Sequence, residues 1–231
     1  LIGRLRFGKS YRFLRWLLRP LLRFMLRRRA EQVDSVVAFQ RIVERYLVKV
    51  IDTSIDGIQV EGLEQLDLTQ PRLFMSNHRD ITMDPALINY TLYKAGAKTL
   101  RIAIGDNLLS KPFASDLMRL NKSFIVKRSV SQPRKLLAAL KKLSKYIWHS
   151  LNEEGQHIWI AHREGRAKDG WDASEPAIIK MLTITQPKDV SFTDYIRALS
   201  IVPVAISYEF DPCDRDKARE LTVKAAGEEY I

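Results

Sequence analysis

Six short apolar runs, separated by stretches with helical periodicity, limit what this chain can fold into. They are 57–60 "GIQV", 72–76 "RLFMS", 100–104 "LRIAI", 123–127 "SFIVK", 157–161 "HIWIA" and 201–208 "IVPVAISY". Runs this short suit strands, and the longer amphipathic stretches between them suit covering helices. The pattern predicts an α/β domain, a central mixed sheet flanked by helices. "DPALINYTLYKAG" has Asp84 placed as an N-cap, Pro85 in the first turn and Gly96 as the stop. "SQPRKLLAALKKLSKYIWHSL" puts Leu136, Leu140, Leu143 and Ile147 on one face, and "SEPAIIKMLTI" opens on Ser174 and Pro176. No repeat or low-complexity linker interrupts the domain, and 231 residues suffice for one sizeable core.

The charge is lopsided. Residues 1–29 hold nine arginines and Lys9 with no acidic residue, whereas the rest of the chain carries 28 basic against 27 acidic residues. Within "YRFLRWLLRPLLRFMLRRR" the arginines at 12, 15, 19, 23 and 27 form one helical stripe. Leu14, Leu17, Leu18, Leu21, Phe24 and Met25 form the opposite one. An arginine in every turn opposes a bilayer span, each costing at least ~2.5 kcal/mol at the bilayer centre. A helix lying in the interface suits the pattern better, with arginines on anionic headgroups and Pro20 bending or breaking it. Packing on the chain's own domain is the alternative; a nucleic-acid arm has no need of a continuous leucine face. A second helical pattern follows over 31–51, with Val33, Val36, Val37, Ile42, Val43, Leu47 and Val50 on its stripe. The expected organisation is therefore N-terminal amphipathic helices over 1–51, associated with a membrane at its cytoplasmic face, and a domain over 52–231. The opening on Leu1 and the helix-like stretch at Ile231 suggest that both ends are incomplete. The single cysteine, Cys213, excludes an intramolecular disulfide and fits a reducing compartment.

Three polar clusters follow predicted strands. "SNHRDITMDP" places His78 near two carboxylates, Asp80 and Asp84; "KSFIVKRS" ends on Lys127 and Arg128; "HREGRAKDG" gathers Arg163, Glu164, Gly165, Arg166 and Lys168. Loops at the carboxyl ends of strands in an open α/β sheet collect in one crevice, so the three can form one site. A histidine fixed by a carboxylate is suited to taking a hydroxyl proton near neutral pH. No G-x-S-x-G elbow accompanies it, so the hydroxyl would belong to the substrate. The paired cations suit a phosphate.

"NHRDITMDPALI", "SFIVKR", "IAHREGRAK" and "IVPVAISYE" resemble, in order and approximate separation, the four blocks of the glycerol-3-phosphate and 1-acylglycerol-3-phosphate acyltransferases. The resemblance covers about residues 72–209. It implies transfer of a fatty acyl group from acyl-CoA or acyl carrier protein to a glycerophosphate hydroxyl in phospholipid synthesis, without metal or bound cofactor. It implies His78 as general base, Asp84 as its orienting partner, Arg128, Glu164 and Gly165 as acceptor-binding residues, and Pro203 as a residue shaping the site. Lys127, Arg163 and Arg166 would join Arg128 on the phosphate. The chain departs from the family pattern in three places. Five residues rather than four separate His78 from Asp84; Lys122 stands in the region of a customary glycine; and Arg163 replaces the proline before Glu164-Gly165, with Arg166 following at once. Other lyso-lipid acceptors, such as a lyso-aminolipid, and a non-catalytic membrane scaffold remain alternatives. Asp80, two residues from His78, is the rival partner, though its short reach favours an Asx-type loop bond.

Overall fold

The computed structural model describes residues 33–109, 112–127 and 129–225, with positions 20, 23–25, 27, 28 and 31 before them. The chain divides into two compact units, Leu1–Tyr46 and Leu47–Ile231. In the first, most of the helix expected over 11–29 lies outside the described residues, and the described positions between 20 and 31, Pro20 among them, have helical backbone. Phe24 and Met25, expected on its apolar stripe, are exposed. Helix α1 (Val36–Ser54) has residues in both units. Val36, Val37 and Ile42 on its expected stripe are exposed, and Ile51 is buried. No helix among the described residues is long and apolar enough to cross a membrane.

The second unit is built on a five-stranded sheet of β1 (Leu73–Ser76), β2 (Arg101–Gly105), β3 (Ser123–Val126), β4 (Ile158–Ala161) and β5 (Ile201–Val204), in the order β3-β2-β4-β1-β5. All its pairings are parallel, which corrects the expected mixed sheet. The connections explain why: a helix lies between each strand and the next, which returns the chain to the same edge. These are α2 (Met83–Lys94), α3 (Pro112–Leu120), α4 (Pro133–Asn152), and the pair α5 (Pro176–Thr183) and α6 (Phe192–Ala198); α7 (Asp214–Ala225) follows β5. The "GIQV" run forms no strand: no partner pairs with it, and Ile58 and Val60 are exposed. Pro203 sits in β5 at the sheet's edge, the place where a residue without an N–H costs least.

Side chains alternate across the sheet and build two cores. Leu73, Ile158 and Ile160 pack with Leu143, Ile147 and Leu151 of α4, Met181 and Leu182 of α5 and Tyr195 of α6. Phe74, Ile102, Ile104 and Trp159 point the other way and meet Leu92 of α2. A sheet buried on both faces leaves the strand ends as the place where polar side chains can converge. Because every strand runs the same way, the loops after β1, β3 and β4 leave from one edge.

Candidate active site at the carboxyl edge of the sheet

β1 and β4 are neighbours, with Ser76 level with Ala161. The residues that follow them, Asn77-His78 and His162-Arg163, therefore emerge side by side, although 84 positions separate the two histidines in the sequence. Backbone bonds knit the two loops: the N–H of His162 donates to the Ser76 carbonyl and that of Ala167 to the His78 carbonyl, each at 2.8 Å. The Asn77 amide grips the backbone of Ile206, donating to its carbonyl at 2.8 Å and accepting from its N–H at 2.7 Å. That ties the first loop to the segment leaving β5.

The His78 Nδ1 lies 2.9 Å from Asp84 Oδ2, and the Asp84 side chain is fully buried. The same oxygen accepts the N–H groups of Arg79 at 2.7 Å and Asp80 at 2.9 Å, and Oδ1 accepts the Tyr208 hydroxyl at 2.7 Å. A buried carboxylate with four donors is a satisfied acceptor. With Asp84 ionised, Nδ1 carries the ring proton, and Nε2 holds a lone pair. Nε2 makes no hydrogen bond to the described residues. The ring is backed edge-on by Trp159, 5.6 Å between centroids, whose Nε1–H donates to Ser76 Oγ at 2.9 Å. Burial, together with the adjoining Asp84 carboxylate, pushes the Tyr208 phenol well above its usual range, so it stays a donor.

Asp80 faces away from His78. Its Oδ1 accepts the N–H groups of Thr82 and Met83 at 2.8 Å each, an Asx-type turn that starts α2. This corrects the placing of Asp84 as N-cap: the helix begins at Met83, and Asp84 lies inside its first turn with both oxygens spent elsewhere.

A cleft of about 590 Å³ opens beside His78. Lys127, Arg163, Glu164, Gly165, Arg166 and Lys168 line it with the histidine, and Leu136, Leu140 and Leu143 of α4 with Ile178 and Met181 of α5 form an apolar wall. One cavity thus carries a basic nitrogen, an anion-attracting rim and room for a hydrocarbon. Gly165 has φ 76, a left-handed turn that a side chain would strain, which accounts for glycine between Glu164 and Arg166. Lys168 is paired with Glu220 at 2.5 Å and is not a free cation. Arg128 lies outside the described residues.

Sequence reasoning missed Asn77, Trp159, Tyr208, Asp211 and Lys217. Tyr208 closes the apolar run 201–208 beyond the end of β5, and Asp211 and Lys217 follow it with no spacing that marks them. Asn77, an amide beside the histidine at a strand end, was open to notice. Residues 57–207, about two thirds of the chain, match the family model described as Acyltransferase. No curated protein matches the chain.

Proposed function

The chain belongs to the acyltransferase family, and from that premise we propose that it moves a fatty acyl group from a thioester donor, acyl-CoA or acyl carrier protein, to a glycerophosphate hydroxyl. 1-Acylglycerol 3-phosphate and glycerol 3-phosphate are the two acceptors in view. His78 Nε2 takes the proton from the acceptor hydroxyl while its oxygen attacks the thioester carbonyl. The tetrahedral intermediate collapses with loss of the thiolate, which recovers the proton from His78, leaving an ester and a free thiol. Asp84 holds the tautomer and stabilises the imidazolium. General-base action of this kind contributes ~10²–10⁴-fold, and positioning supplies much of the rest.

The observation that carries this reading is the His78–Asp84 pair at 2.9 Å, with the second ring nitrogen uncommitted at the cleft. Lys127, Arg163 and Arg166 are at hand for the acceptor phosphate, and Arg128 keeps its part from the sequence alone. Glu164 and Gly165 shape the rim that holds the acceptor. The apolar wall from α4 and α5 suits an acyl chain. The basic arm holds the enzyme at an anionic membrane surface, where lipid product partitions. Deleting residues 1–29 should then abolish flotation with anionic liposomes, and undiminished flotation would exclude that role.

The reaction is tested by following thiol release from palmitoyl-CoA with each acceptor in turn. Acceptor-dependent release that disappears in His78→Ala is expected. Absence of transfer to either acceptor, or equal turnover by the variant, would overturn the proposal.

A further inference from the structure

The segment beyond the family match closes the back of the first loop. Lys217 of α7 is only 2% exposed, a costly place for an ammonium unless it is paired and hydrogen-bonded. It pairs with Asp211 Oδ2 and donates to the Arg79 carbonyl at 2.7 Å. The other oxygen of Asp211 accepts from Arg79 Nε at 3.0 Å. Burial works to raise the Asp211 carboxyl, but the bonds from Lys217 and Arg79 hold it below the usual carboxylate range, so it is a carboxylate near neutral pH.

The peptide joining Arg79 to Asp80 is bonded at both ends. Its C=O accepts from the buried ammonium, and its N–H donates to Asp84 Oδ2 at 2.9 Å, the oxygen that faces His78. Hydrogen bonds in such a chain polarise one another in a low-dielectric setting. One peptide thus separates Lys217 from the His78–Asp84 pair.

We propose that Lys217 is a positioning residue for His78: through the Arg79–Asp80 peptide it fixes the Asp84 acceptor and brings a positive charge to bear on the ring, which Asp211 moderates. The inference rests on the general-base reading only for its effect on turnover. The Arg79–Asp211–Lys217 cluster carries one net positive charge. The other charged or titratable groups around the ring are Asp80 on its own loop, Asp84 on α2, Tyr208 after β5 and Lys127 after β3. The segment after β4 adds His162, paired with Asp172, then Arg163, Glu164, Arg166, Lys168, paired with Glu220 of α7, and Glu175. Against this fixed background, Lys217→Met makes the cluster neutral and Asp211→Asn makes it doubly positive.

The test is an NMR titration of the full chain labelled with ¹⁵N-histidine, with His78→Gln identifying the His78 signal among the four histidines. It requires no substrate, so a wild-type chain without transferase activity would sink the proposed function and leave this inference to its own result. Lys217→Met is expected to raise the midpoint of the His78 titration by about 0.5–1 unit, Asp211→Asn to lower it by a similar amount, and Lys217→Arg to leave it within about 0.3 unit. Where transfer is measured, kcat of Lys217→Met should fall about tenfold with the KM for the acyl donor unchanged. A folded Lys217→Met with the wild-type midpoint overturns the proposal. If that variant does not fold, Asp211→Asn decides, and a midpoint that stays or rises overturns it.

Discussion

Two histidines stand at the carboxyl ends of neighbouring parallel strands, each beside an aspartate. His78 follows β1 with Asp84 at 2.9 Å, and His162 follows β4 with Asp172 at 2.8 Å. Both histidine side chains are 12% exposed. They differ in what the second nitrogen does. His162 gives Nε2 to Asp172 and Nδ1 to Ser174 Oγ at 2.9 Å, so both ring positions are spent on closing its own loop. His78 spends one and keeps the other toward the cleft. The carboxylates differ too: Asp84 is held by four donors, whereas Asp172 Oδ2 is buried without a partner among the described residues. Proximity of a histidine to a carboxylate is thus shared by a structural clasp and a candidate base, and the uncommitted nitrogen separates them.

The largest effect should come from exchanging the two histidines' fates. His78→Ala is expected to lower kcat by ~10²–10⁴-fold with an unchanged circular dichroism spectrum, the usual contribution of a general base. His162→Gln should stay within about threefold of wild type in kcat and lose ~1 kcal/mol of stability in urea, the worth of its loop bonds. Thiol release measured on both variants would break the comparison if His162→Gln were the more damaged.

The carboxylates come next. Asp84→Asn can keep an oxygen for the three donors at the Oδ2 position and turn its NH2 toward the Tyr208 hydroxyl, but it removes the charge that stabilises the imidazolium, and kcat should drop by ~10²–10⁴-fold. Asp80→Asn keeps the acceptor used by the Thr82 and Met83 N–H groups, since asparagine caps as well as aspartate, so kcat should stay within about threefold. Equal losses in the two variants would show that the loop, rather than the Asp84 charge, matters. Tyr208→Phe should be milder. It removes one of the four donors to Asp84, and about a tenfold fall in kcat with ~1.5 kcal/mol less resistance to urea is expected.

The legible part of this site is the part encoded locally. Strand ends, the polar residues next to them and the resemblance of four ordered blocks placed His78, Lys127, Arg163, Glu164, Gly165 and Arg166 in loops that do share one cleft. The five strands of the sheet were readable because a sheet buried on both faces writes continuous apolar runs. "GIQV" carries the same local signal, but a strand exists only where a neighbour completes its ladder, and none does. The expected mixed sheet fails for a related reason: direction is decided by crossovers, and two of the crossover helices, α3 and α6, are only nine and seven residues long. Tyr208, Asp211 and Lys217 act on Asp84 and Arg79 from more than 120 positions away, through single bonds that impose no spacing on the sequence. Packing of α7 against the first loop had to be seen.

A third histidine extends the contrast with the smallest effect. His157 precedes β4, is 3% exposed, and its Nδ1 accepts the Arg72 N–H at 3.1 Å. Burial lowers its pKa below the ordinary value, with the charges of Lys98 and Arg72 adding to the shift and a backbone contact with Leu68 offsetting part of it. Between the lowered folded value and the unfolded value of about 6.5, the unfolded chain holds the extra proton, so stability rises with pH there. The contribution is complete above about pH 6.5 and is lost as the pH falls toward the folded value. His157→Asn keeps an acceptor for Arg72 and cannot titrate. Between pH 7.5 and 5 the wild type should therefore lose about 2–3 °C more in Tm than this variant. Asp211, whose lowered carboxyl loses its share of stability only below the ordinary carboxylate value, stays outside that window. Parallel Tm profiles for the two chains would mean that His157 keeps its proton when folded, and that a buried imidazole in this sheet does not need to be neutral to be structural.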